Sequence, residues 1–173
     1  MKPLTALTVA FALPCAAATA GTVSHTFDLV GTEVDGTYTD NFGITSLSHD
    51  FGSAGAITNI EFTFKYDALD PSWASEFAFS IDTDSGFVDV LASDYGAQSA
   101  PGTFVFSDSL DVNISTADGV VLLTLWDSFQ DDSVFPDVYI GFPSSVTLTF
   151  IPGPGALVAL GSGLVLAAPR RRA

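Results

Sequence analysis

Basic side chains are almost missing from the body of this sequence. All twenty acidic residues fall between Asp28 and Asp137, and Lys65 is the single basic residue in that interval. A field of that sign repels phosphate backbones and anionic lipid headgroups, so it argues against nucleic acid as a partner. Cysteine is scarce too. The only one is Cys15, so no disulfide framework is expected and core burial must hold the fold. Only two histidines occur, His25 and His49. A zinc site needs three or four His, Cys or acidic ligands at close spacing, and none is offered. Ser24-His25 and Ser48-His49 come without a nucleophile-elbow motif, so both histidines read as strand-edge or surface residues. Helical periodicity is also lacking: no segment of ten residues carries a convincing 3.6 period ahead of the C-terminal tail.

What is present is a β pattern. Of 173 residues, 47% are hydrophobic, enough for one domain with a buried core, and fifteen are Phe. Ile60, Phe62, Phe64 and Tyr66 alternate with Glu61, Thr63 and Lys65, so the two sets occupy opposite faces of a strand. Phe77, Phe79 and Ile81 repeat the device, as do Phe104 and Phe106, and Val146, Leu148 and Phe150. Val120 to Trp126 is apolar nearly throughout and predicts a central strand covered on both faces. Turn signals separate the runs, including Asp35-Gly36 as a hairpin signal, Asp84-Ser85-Gly86 and Asp118-Gly119. About nine or ten short strands in roughly 130 residues predict an all-β, antiparallel two-sheet sandwich, jelly-roll-like.

Both ends of the chain differ from this body. Met1-Lys2, an apolar run from Leu4 to Ala18, and Ala18-Thr19-Ala20 form a positive start, a hydrophobic middle and a small-residue cleavage site. Residues 1–20 therefore read as a secretory signal peptide cut after Ala20, which would remove Cys15. At the other end stand Pro152-Gly153-Pro154, an apolar run from Ala156 to Ala168, and Arg170-Arg171-Arg172. The run has no polar face and is short beside the roughly 20 residues needed to span about 30 Å of hydrocarbon. Its arginines would hold the end of a short apolar helix on the cytoplasmic side. The body is thus expected over residues 21–151 and a sorting tail over 152–173.

Candidate ligand sites are few. Asp82 and Asp84, in Asp82-Thr83-Asp84-Ser85-Gly86, place two carboxylates two residues apart beside a glycine, a pattern suited to calcium. Asp127, Asp131 and Asp132 make a second acidic loop. Otherwise no cofactor is expected. Trp73, in the irregular stretch Asp67 to Ser75, could either stack on a sugar ring or cover an end of the sandwich. With twenty acids, no carboxylate pair can be chosen for glycoside hydrolysis, because its geometry is spatial.

The ordered set of leader, β-rich middle, Pro152-Gly153-Pro154, apolar run and arginine cluster resembles the PEP-CTERM proteins, exported bacterial proteins processed by exosortase. Gly153 stands where the named motif has Glu, and Pro169 precedes the arginines. The resemblance covers about the last 23 residues. It implies the export machinery and an exosortase-type enzyme as partners, transient tethering to the membrane by the tail, and delivery to the cell surface or exterior. It also suggests contact with extracellular polysaccharide. The expected protein is a non-enzymatic structural or adhesive sandwich of the cell surface or extracellular matrix. A carbohydrate-binding module is the first alternative and a secreted hydrolase the second.

Overall fold

The alternating runs become strands, and their apolar sides meet between two sheets. The computed structural model describes residues 21–36, 45–129 and 136–153. The expected signal peptide with Ala18 and Ala20, the acidic pair Asp131 and Asp132, and the expected tail with Pro154, Arg170, Arg171 and Arg172 lie outside the described residues. Nine strands follow in chain order: β1 (Val23–Asp28), β2 (Glu33–Val34), β3 (Thr45–Asp50), β4 (Gly55–Ala68), β5 (Phe77–Thr83), β6 (Gly86–Leu91), β7 (Gly102–Thr116), β8 (Val120–Asp127) and β9 (Val138–Pro152). Three of them run for 14 or 15 residues, longer than the short strands expected.

All pairings are antiparallel. One sheet has the order β1-β9-β4-β7, with β2 also pairing β9, and the other has the order β3-β8-β5-β6. No α-helix occurs among the described residues, and no helix there is long and apolar enough to cross a membrane. β2 and β3 belong to different sheets, so Asp35-Gly36 does not join them as a hairpin. Asp84-Ser85, in contrast, is the two-residue turn of the β5–β6 hairpin.

Irregularities in β4 and β9 keep the core continuous. The register of β4 shifts between Ile57 and Asn59. One extra residue reverses the alternation there, so Ile57 and Ile60 both point inward and both are fully buried. A second shift, at Thr63/Lys65 against β9, interrupts the ladder. Ser144 fills that gap: its hydroxyl accepts the Lys65 N–H at 3.0 Å and lies 2.6 Å from the Gly141 carbonyl oxygen. Backbone groups released by the bulge are thereby satisfied.

The core is aromatic. Phe62, Phe64, Phe77, Phe79 and Phe106 pack with ring centroids between 5.1 and 6.4 Å, mostly edge-on or tilted. Such arrangements add about 0.5–1.5 kcal/mol per pair beyond area burial. One expectation is corrected here. β8 is central, but Val120 and Leu122 are 39% and 38% exposed, so its first half is covered on one face only. The strand buried on both faces is β5, from Phe77 to Ile81. Its outward residues Ala78 and Ser80 are small, and Trp126 sits beside Ala78 on β8. The indole Nε1–H donates to Ser80 Oγ at 2.8 Å, and Ser80 donates to Asp89 at 2.6 Å.

Candidate functional site

β4 and β8 end at the same end of the sandwich, and the loops leaving them enclose a cleft. Pro71, Trp73, Glu76 and Phe129 line a cavity of about 320 Å³, near the lower bound of roughly 300 Å³ for small-molecule sites. Trp73 is 45% and Phe129 57% exposed. Phe87 and Phe142 are more exposed still, and what sets Trp73 and Phe129 apart is that they face one cavity.

The loop carrying Trp73 is fixed from several directions. Leu69 N–H donates to the Asp137 carbonyl at 2.9 Å, and Ser72 Oγ donates to the Asp137 carboxylate at 2.9 Å. Ser72 and Asp137 are both fully buried. The Trp73 N–H donates to Glu76 Oε2 at 2.8 Å while Glu76 N–H donates to the Trp73 carbonyl, closing a short 3-10 turn at Ala74–Glu76. Ala74 and Ser75 donate to the carbonyls of Ala100 and Gln98. From below, the Tyr66 hydroxyl donates to the Ala74 carbonyl. Burial, and then the negative charge of Asp127, pushes the Tyr66 phenol far above its ordinary range. It therefore stays a donor.

Phe129 is held by the same end of the molecule. Its N–H donates to the buried Asp127 carboxylate at 2.9 Å, an Asx turn at the end of β8. Ser128 N–H donates to the Glu76 carbonyl at 2.8 Å, tying the two loops together. Asp127 N–H donates to Gly36, and Asp137 N–H to Val34, so the segment after β2 braces both. Burial raises the pKa of the Asp35 carboxyl, partly offset by the neighbouring Asp137. Two flat apolar side chains and one carboxylate thus face a shared space from a braced backbone.

Of the residues singled out in the sequence, Trp73 lies in this cleft with Pro71 from the same irregular stretch, and Phe129 and Glu76 join them from positions that carry no local signal. Asp82 and Asp84 lie at the opposite end, where Asp118 joins them around a shallow cavity of about 210 Å³. Asp84 accepts the Ala117 N–H at 3.0 and 3.2 Å through its two oxygens, and Ser85 Oγ at 3.0 Å. Asp118 accepts Val120 N–H at 2.8 Å and Thr116 Oγ1 at 2.9 Å, and these bonds hold its carboxyl below the usual range. Among the described residues no group of three or more His, Cys, Asp or Glu is placed to hold a metal ion.

His25 lies within β1 and His49 within β3. Both strands are sheet edges, and the two rings meet across the sheets, stacked at 3.5 Å between centroids. At the tail junction, β9 carries on through Pro152, and Gly153 N–H donates to Ala54 at 2.7 Å. Pro152 and Gly153, the first two residues of the expected sorting motif, are therefore joined to the body.

No family model and no curated protein sequence matches the chain. In solved structures, 83% of the chain is similar to 14% of dimeric latent PorU from Porphyromonas gingivalis, at 9% identity and a TM-score of 0.40. It is similar over 78% of its length to 36% of a family two carbohydrate esterase from Cellvibrio japonicus, at 11% identity and a TM-score of 0.30. A CocE/NonD family hydrolase from Staphylococcus aureus is similar over 79% of this chain and 32% of its own, at 10% identity and a TM-score of 0.31. The chain spans well under half of each of these proteins, and no residue role passes from them to it.

Proposed function

We propose that this is an exported, non-enzymatic β-sandwich of the cell surface or extracellular matrix, adhesive through the Trp73–Phe129 cleft. The observation that carries the reading is the exposure of two aromatic side chains on a backbone already fixed by buried partners. Ordering loops on binding costs free energy, and a site fixed in advance avoids that cost. A pyranose ring offers an apolar face of C–H groups to an aromatic ring and hydroxyls to a carboxylate, and Trp73, Phe129 and Glu76 supply both kinds of contact.

The ring is neutral by charge. Glu76 lines the cleft, and Lys65, the single basic residue between Asp28 and Asp137, sits on β4 outside the cleft lining. A uronate would meet like charge without a cation to offset it. A glycan array probed with the full chain should show binding to neutral saccharides, and Trp73→Ala should abolish it without moving the thermal midpoint. Absence of neutral-glycan binding by the wild type, or binding unaltered in Trp73→Ala, would overturn the reading.

The terminal segments belong to the same proposal. The leader sends the body outward, and the tail from Pro152 holds it at the membrane until an exosortase-type enzyme cuts it. Mass spectrometry of the mature protein from its source should find a C-terminus that lacks Arg170–Arg172. An intact arginine cluster would replace the sorting tag by a permanent anchor.

A further inference from the structure

The two sheets are joined along one side by rings, and two of those rings are imidazoles. His25 and His49 stack face to face, 3.5 Å between centroids and 7° from parallel. Phe27 meets His25 edge-on at 4.6 Å and 84°, and Phe51 meets His49 with the same distance and angle. Phe51 then stacks on Phe150 of β9 at 4.4 Å. The result is a ladder, Phe27-His25-His49-Phe51-Phe150, in which each sheet edge contributes one histidine.

We propose that the His25–His49 stack is a proton-sensitive latch between the edge strands β1 and β3. Neutral imidazoles stack as other aromatic rings do, whereas two imidazolium cations in this position repel each other through a partly buried gap. Among the described residues no counter-charge faces them. The inward positions beside the pair are Phe27 on β1, Leu148 and Phe150 on β9, Leu47 on β3 with Phe51 just after it, and Val121 and Leu123 on β8. The carboxylates on the same strands, Asp28 three residues after His25 and Asp50 next to His49, are exposed at alternate, outward positions. Asp28 accepts the Val30 N–H, and Asp50 accepts the Gly52 N–H.

Burial, and then the charge of His49, lowers the pKa of His25 from 6.5. The unfolded or opened chain therefore takes up its proton at a higher pH than the closed seam does. Stability of the seam is complete above 6.5 and falls as the pH drops below it. Each of these strands is held by a single neighbour, β1 by β9 and β3 by β8, so the loss is expected at the seam before the rest of the sandwich.

The chain has only two histidines, which makes the test clean. Between about pH 5 and about pH 7.5 few other side chains titrate. Hydrogen exchange of the full chain, corrected for the intrinsic rate, should show about tenfold more opening of residues 23–28 and 45–50 at the lower pH. Residues 77–83 of β5 should keep the same protection at both. His25→Phe/His49→Phe retains the stacked rings and should remove the pH dependence, and His49→Gln should weaken it if the phenylalanine pair misfolds. Equal protection of β1 and β3 at the two pH values would overturn the latch. So would a pH dependence that survives unchanged in both variants.

Discussion

The loop that follows β4 and the turn that follows β5 lie at opposite ends of the sandwich, and aspartate side chains organise both. At the β5 end the hydrogen bonds are short-range or join one turn to the next. Thr83 Oγ1 donates to Ser115 O at 2.7 Å, Asp84 accepts Ala117 N–H, and Asp118 caps its own turn. Gly119 is held left-handed at φ 85°, and a Cβ there would lie 2.5 Å from the Ser53 carbonyl oxygen. These carboxylates satisfy the backbone that surrounds them. At the β4 end the buried Tyr66, Asp127 and Asp137 hold the loops that carry Trp73 and Phe129: Tyr66 donates to Ala74, Asp127 accepts the Phe129 N–H, and Asp137, just before β9, accepts Ser72 Oγ from the far side of the sequence. There the polar groups hold the backbone while Trp73 and Phe129 stay exposed. An aspartate-rich loop can therefore serve its own turn or serve a neighbour's display, and the side chains carried by the bonded backbone distinguish the two.

The largest expected effect breaks the braced end. Tyr66→Phe removes the hydroxyl that donates to Ala74 and leaves a buried carbonyl without that donor. The cost is about 1–3 kcal/mol of stability, measurable by chemical denaturation. Because Ala74 follows Trp73 directly, affinity for a neutral saccharide should fall along with stability. Trp73→Ala touches affinity alone. If Tyr66→Phe lowered stability but left saccharide affinity intact, the bracing would be irrelevant to the cleft.

The contrast between the ends was only half legible in the sequence. Period-two alternation reveals strands because it reports a local face, and Ile60 to Tyr66 or Val146 to Phe150 read correctly for that reason. Trp73 stood out because it interrupts an irregular stretch. Phe129 did not, since its meeting with Trp73 depends on β4 and β8 ending at the same place in different sheets. The histidine stack was hidden in the same way: His25 and His49 look like separate edge residues until the two sheets are superposed. The reversal between β5 and β8 has a different cause. Ala78 and Ser80 are unremarkable as letters, and it is Trp126 from the neighbouring strand that covers their face. Bulges add a further blind spot, since the shift at Ile57/Asn59 changes which parity faces the core.

The smallest expected effect sharpens the other end. The Asp118 carboxyl is held below its ordinary value of 3.8, first by the Val120 N–H and then by the Thr116 hydroxyl. Those bonds favour the charged form in the folded state, so their contribution is present above 3.8 and is lost as the pH falls through the lowered value. Asp118→Ala should lower the thermal midpoint slightly at neutral pH, and the gap from wild type should close on acidification below 3.8. Thr116 Oγ1 also accepts the Gly119 N–H at 2.9 Å, so part of the turn survives the substitution and the effect stays small. Saccharide binding should not change, because no bond of Asp118 reaches the cleft. A loss of binding in Asp118→Ala would mean that the two ends are coupled through the sandwich, and the division between a self-serving turn and a braced cleft would then fail.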